Sequence, residues 1–337
     1  MIFVKIKYFL RTRHPWLFQR LVSMRYCGLG SEWVAVRRRR AARRVLRDAA
    51  PYFPVRLYSR CGFGAMLSHA LEYLRYCEQN GYQPLIEFHN PLYAQEPHVD
   101  WLPEFFTSKV HGEPDASMLR FLPVESYRDY AAKPVAGDLS LTEAAAVFNR
   151  HLIIKPKVLE EVDEFVAANF HGRVLGVHFR GTDKYLESGA QSPEGCMDEV
   201  AGLLAADPRL ESVFVGTDEP AFLTAFVERF GHLNVSNYHL GPPLSAERPR
   251  HLSKFPGLLL AREALVTMLL FSRCDVCLRT CSHLSGWSRI LNPSLKTLTL
   301  IGSDAGDLGF PDRQIVASEE MERRRRVDVG TAHQAEQ

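Results

Sequence analysis

Residues 175–184 read Leu-Gly-Val-His-Phe-Arg-Gly-Thr-Asp-Lys. Leu175, Val177 and Phe179 alternate with Gly176, His178 and Arg180, the two-residue period of a short strand, and Gly181 breaks the run. When a buried strand ends in His, Arg, Asp and Lys within one loop, each of those groups must be solvated or paired. Open α/β sheets bind their ligands at the carboxyl ends of strands. Arg180, Asp183 and Lys184 therefore point to a phosphorylated ligand, with a surface turn held by local ion pairs as the alternative.

Outward from this stretch the chain alternates strands and helices. On the C-terminal side, strands are expected at 174–180, 212–217, 275–279 and 297–301, with a weaker one at 234–239; helices fall at 193–206, 220–230, 257–272 and 282–291. Such alternation implies a parallel, doubly wound sheet with right-handed crossovers. On the N-terminal side a second βαβ unit opens with a strand at 55–59. A helix from 65 to about 80 follows, closed by Gly81, and then a strand at 84–88. Helices at 141–151 and 157–170 join the halves. The expected architecture is α/β, with two Rossmann-like domains facing a cleft. A basic arm spans 1–50, an acceptor-side domain 51–152, a ligand-binding domain 153–310 and a charged tail 311–337.

A chain of 337 residues exceeds one typical domain and can bury substantial cores. Its hydrophobic fraction of 46% and charged fraction of 24% are those of an ordinary soluble protein. A net charge of +2 gives no global case for nucleic-acid binding. The basic residues are concentrated in the arm, where Lys5, Lys7, Arg11 and Arg13 stand among Tyr8, Phe9, Trp16 and Phe18. Arg37–Arg40, Arg43, Arg44 and Arg47 follow, and the whole segment suits peripheral contact with an anionic membrane surface. No apolar run reaches the roughly 18 residues needed to span a bilayer, and no signal-peptide pattern opens the chain. Seven scattered cysteines suit a reducing compartment, so a cytoplasmic location is expected, at most peripheral to the membrane. Cys274, Cys277 and Cys281 form the one tight group. They fall in and around an apolar strand and lack the partners that would complete a zinc site.

Four loops fall at strand ends where the domains could share one ligand. Gly62-Phe63-Gly64 would let backbone approach a phosphate at a helix N-terminus, or would be a tight turn. His178, Arg180, Asp183 and Lys184 form the second, in which Arg180 could hold a diphosphate through forked, charge-assisted hydrogen bonds. Thr217-Asp218-Glu219-Pro220 is the third, with Asp218 as a helix N-cap in its plainer reading. Thr280-Cys281-Ser282-His283 is the fourth, with Ser282 capping a helix whose N-terminus attracts anions.

In this order the four loops resemble the fucosyltransferases of the α1,6 and nodulation type, over roughly residues 55–300. The stretch His178-Phe-Arg-Gly-Thr-Asp-Lys184 is the specific element of the likeness. The resemblance implies a GT-B fold, GDP-fucose as donor, a glycan acceptor, and neither cofactor nor metal. It implies that Arg180 holds the β-phosphate, that His178 and Asp183 position nucleotide and loop, and that Asp218 and Ser282 contact the nucleotide. Gly62 and Gly64 would close on the diphosphate from the first domain. Three positions depart from the pattern. Gly181 replaces a second Arg, Glu187 is the nearest carboxylate to an acidic position occupied by Ser188, and Thr267 replaces a carboxylate that reads guanine, with Glu263 one turn earlier. No Asp-x-Asp occurs, against a metal-dependent transferase. Fixed charge and helix dipoles would stabilise the departing diphosphate, and a carboxylate, Glu187 in this reading, would take the acceptor proton. The alternatives are a transferase for another nucleotide sugar and a non-catalytic binding protein of the same fold.

Overall fold

The computed structural model of the chain describes residues 52–57, 61–89, 92–93, 99–109, 122–124, 139–180, 192–241, 257–302 and 308–335. The basic arm at 1–50 lies outside the described residues.

The second half is built on a five-stranded parallel sheet, β6 (Arg173–Phe179), β7 (Leu210–Thr217), β8 (Asn234–Ser236), β9 (Val276–Thr280) and β10 (Lys296–Leu300), in the order β10-β9-β6-β7-β8. The strand β6, which carries residues 175–179, is therefore central. Residues 174–179 are buried throughout, as a parallel strand covered on both faces must be. Leu175, Val177 and Phe179 face α5 (Pro193–Ala206) and α6 (Pro220–Phe230) in one apolar cluster, where the rings of Phe179 and Phe222 stack at 4.2 Å. On the opposite face, Gly176 and Gly216 lie under α7 (Gly257–Ser272). A Cβ on either would meet the Phe271 ring, at 2.9 and 2.7 Å. The glycine within the strand stretch thus lets a helix pack directly on the backbone.

The first half carries a three-stranded parallel sheet, β1 (Tyr52–Leu57), β2 (Gln83–Phe88) and β4 (Leu122–Val124), in the order β2-β1-β4. α1 (Phe63–Asn80) joins β1 to β2, beginning two residues earlier than the apolar period suggested. α3 (Leu141–His151) opens on a reciprocal capping box between Ser140 and Glu143. α4 (Pro156–Asn169) then leads into β6. The short helix α2 (Leu102–Phe105) and the antiparallel pair β3 (Phe106–Ser108) and β5 (Leu152–Ile154) had no clear periodic signal. One apolar cluster runs from α1 and α3 through α7 to α8 (His283–Leu291), so the two sheets share a core. Trp287 of α8 is wholly buried there, edge-on to Phe148, and donates its indole N–H to Ser68 Oγ at 3.0 Å.

The charged tail is a docked helix, α9 (Asp312–Ala335). Asp312, Glu319 and Glu322 recur at i, i+7 and i+10, one helical face, and that face meets the body. Asp312 pairs with Arg279, Glu319 accepts from the Thr299 backbone at 3.0 Å, and Arg289 donates to Glu322 at 3.3 Å. The sequence marks this segment only as a charged tail, because these partners lie far away in sequence.

Candidate functional site

The strands of the larger sheet deliver their C-terminal residues to one cleft of about 520 Å³. From β6 come His178 and Arg180, from β7 Thr217 and Asp218, from the turn after β9 Ser282 and His283, and from beyond β8 Tyr238 and His239. The facing wall is the start of α1, residues 61–65, with Leu92 and Tyr93. Of the expected site residues, Gly62, Phe63, Gly64, His178, Arg180, Asp218, Ser282 and His283 all line this cleft. Gly181, Asp183, Lys184 and Glu187 lie outside the described residues.

Arg180 is held from two sides. Its backbone N–H donates to Thr280 Oγ1 at 3.1 Å, and its guanidinium Nε stands 3.7 Å from Asp218 Oδ2. Thr280 is fully buried and acts on the cleft by fixing the Arg180 backbone. Asp218 is not the cap of α6; Glu219 occupies that position, Pro220 follows it, and Thr217 Oγ1 accepts the Glu219 N–H at 3.1 Å. With that turn closed by Thr217, the Asp218 carboxylate faces Arg180. His178 is buried edge-on against Phe271. Burial first, then the charges of Arg279 and Arg180, push its pKa down to about 3, so it stays neutral near pH 7. The positive charge at this strand end belongs to Arg180.

Two helix N-termini border the cleft. Ser282 caps α8 as expected, accepting the Leu284 N–H at 3.2 Å. Beneath this turn lies Arg279, wholly buried, which donates to Ser282 C=O and Ser285 Oγ, both at 3.0 Å, and pairs with Asp312. At α1 the Gly-x-Gly loop also carries packing roles. The Phe63 ring turns into an aromatic cluster with Tyr93, Trp101, Phe105 and Phe106, and its N–H donates to Tyr93 Oη at 2.8 Å. Gly64 supports the domain contact. A Cβ there would stand 2.8 Å from the His283 carbonyl carbon and oxygen, so only glycine lets the two helix starts meet. His283 Nδ1 lies 3.1 Å from Ser68 Oγ, extending the bond from Trp287 across the seam.

The remaining wall is α7, with Leu260, Glu263, Ala264, Thr267 and Met268. Thr267 does face the cleft and brings no charge, while Glu263 lines it one turn earlier. The Glu263 carboxylate accepts the Leu240 N–H at 2.8 Å and stands 3.6 Å from His239 Nδ1. Tyr93, His239 and Arg279 were missed in the sequence. His239 could have been found by the strand-end rule, had the weak strand been ended at Ser236. Arg279 gives no local signal, because one arginine in an apolar strand looks like an edge residue.

Cys274 and Cys277 are wholly buried, and burial raises both thiol pKa values, to about 12 for Cys277. They pack as small apolar side chains. Among the described residues no group of three or more His, Cys, Asp and Glu is arranged to hold a metal ion, and no helix is long and apolar enough to cross a membrane.

No protein-family model and no curated protein matches the sequence. Solved structures do resemble the fold. One is the NodZ alpha-1,6-fucosyltransferase soaked with GDP-fucose, at 17% identity and a TM-score of 0.51, covering 77% of this chain and 99% of that one. Another is the fucosyltransferase NodZ from Bradyrhizobium, at 19% identity and a TM-score of 0.53 with the same coverage. The chain has the GT-B fold of these structures, two α/β domains about a cleft.

Proposed function

We propose that the chain is a glycosyltransferase that moves a sugar from a nucleotide sugar, GDP-fucose in this reading, to a hydroxyl of a glycan. One observation carries the proposal. Arg180 stands in the cleft between the N-termini of α1 and α8, where fixed positive charge and helix dipoles converge. A departing nucleoside diphosphate is the leaving group such a place stabilises. In this reading Ser282 and the start of α8 hold phosphate oxygens, and Asp218 keeps Arg180 in place until the donor enters. No metal takes part, and the acceptor attacks C1 from the face opposite the diphosphate, inverting the sugar.

Donor hydrolysis without acceptor, across GDP- and UDP-sugars, tests the reading. Hydrolysis of GDP-fucose above the others, undiminished in EDTA, is the expected result. Activity lost to EDTA and restored by Mg²⁺ or Mn²⁺ would end the metal-free mechanism. Nucleotide binding without any turnover, in the presence of glycan acceptors as well, would leave a binding protein of this fold.

Within the proposal, Glu187 is the proton acceptor. Its role is on the acceptor side, so Glu187→Gln is expected to depress kcat at least tenfold with donor affinity nearly unchanged. Normal transfer by Glu187→Gln, with loss in Asp183→Asn, would move the role to Asp183.

A further inference from the structure

Ser68 Oγ, on α1, is the point at which hydrogen bonds cross the seam between the two domains. It lies 3.0 Å from the Gly64 C=O, 3.0 Å from the Trp287 indole nitrogen and 3.1 Å from His283 Nδ1. Ser68 and Trp287 are buried, so the bonds here must balance within the protein. A hydroxyl gives one proton and has two lone pairs, and an indole N–H only donates. With the Ser68 proton on the Gly64 carbonyl, one lone pair takes the Trp287 N–H and the other takes an N–H from His283. With that proton on His283 instead, two oxygens face each other at 3.0 Å with no hydrogen between them. The seam therefore keeps a proton on Nδ1, and Nε2 is the nitrogen of this ring left to gain or lose one.

His283 is partly exposed and lines the cleft, and its backbone is pinned against Gly64. Titratable groups approach it from several elements. On α1, His69 is neutral near pH 7, its pKa pushed down to about 4 by burial and then by His283, and Glu72 follows one turn after Ser68. At the strand ends His178 is neutral, and Arg180 stands 3.7 Å from Asp218. On α7, Glu263 accepts the Leu240 N–H and lies beside His239. The titratable groups of α3 turn elsewhere, Glu143 to Ser140 and both Arg150 and His151 to Glu78. Asp312 and Glu322 of α9 are taken by Arg279 and Arg289. The start of α8 is the positive end of a helix dipole. Together with Arg180 it opposes a proton on Nε2 until a ligand brings negative charge, and a diphosphate reverses the sign of that field.

We propose that His283 takes a proton from solvent onto Nε2 when a diphosphate enters the cleft, and that Ser68 is the positioning residue that holds Nδ1 protonated and the ring in place. This inference rests on the diphosphate site proposed above and gives that site a pH dependence: binding tightens as pH falls towards 6.

Calorimetric titration of the full chain with GDP at pH 7.5, in buffers of different ionisation enthalpy, counts the protons taken up. His283→Asn keeps an N–H for Ser68 and cannot take a proton; His283→Gln serves if that variant folds poorly. The wild type is expected to take up about half a proton more per GDP than His283→Asn, and its affinity should rise about tenfold relative to that variant between pH 8 and pH 6. The comparison cancels protons exchanged by the ligand's own phosphate. Ser68→Ala leaves the imidazole but frees it to turn, and should cut the extra uptake by more than half, whereas Ser68→Thr keeps the hydroxyl and should retain it. A merely structural role for either residue would change affinity equally at every pH and leave the proton count alone. Equal proton counts in the wild type and the His283 variants overturn the inference, and undiminished uptake in Ser68→Ala overturns the role given to Ser68. A wild type that binds neither GDP nor pyrophosphate overturns the diphosphate reading as well.

Discussion

Arg180→Ala is expected to lower transfer by roughly a hundredfold or more, with the fold unchanged. Removing one preorganised donor from a site of developing negative charge costs about 3 kcal/mol of transition-state stabilisation. Two features of the cleft increase that cost. His178, on the same strand end, is neutral and cannot compensate for the lost charge. Asp218, left without the guanidinium that stands 3.7 Å away, would present its carboxylate to the incoming diphosphate. The double variant Arg180→Ala/Asp218→Asn should therefore recover part of the donor affinity, though not the rate. Arg180→Lys should recover little of either, because a single ammonium cannot reproduce the forked contact. Steady-state kinetics with the preferred donor, alongside thermal unfolding to confirm the fold, checks all three. Near-normal turnover in Arg180→Ala would remove the leaving-group role from this residue.

The strand at 173–179 was legible because burial on both faces leaves a continuous apolar run, and a charge cluster at its end marks the side where ligands bind. The same physics made β7, β9, α6 and α8 legible: each carries an apolar period closed by a residue with a clear local role, such as Pro220 or Ser282. What stayed hidden depends on contacts distant in sequence. At Gly64 local sequence cannot show the His283 backbone, 219 residues away, that forbids a side chain there. Asp218 looked like a cap because Asp at a strand-to-helix turn is a favoured one, yet Glu219 takes that position, Thr217 closes the turn, and the carboxylate is left to Arg180. The segment after 311 read only as a charged tail, because its acidic residues find their cations on β9 and α8, far away in sequence.

That tail supplies the largest expected effect on stability. Asp312→Ala should destabilise the chain by about 3–5 kcal/mol, the usual cost of leaving one member of a buried ion pair alone. Arg279 is fully buried and Asp312 is 15% exposed, so water cannot replace the lost carboxylate at the guanidinium. The remaining partners of Arg279 are neutral: Ser285 Oγ, Ser282 C=O and Thr299 Oγ1. A denaturation midpoint in urea well below wild type, at unchanged slope, is the expected reading. The cause is separable from mere loss of packing. Arg279→Met/Asp312→Leu removes both charges and should be much less destabilised than Asp312→Ala, because no unpaired ion remains. Equal destabilisation in the two would mean that shape, and not charge, holds α9 in place. The binding consequences differ in the opposite sense. Arg279 donates to the carbonyl and hydroxyl that frame the start of α8, and only Asp312→Ala keeps that grip. The double variant, though better folded, should therefore bind pyrophosphate more weakly than Asp312→Ala does. The helix that begins at Asp312 would then act on the cleft without touching a ligand, through the buried arginine beneath Ser282.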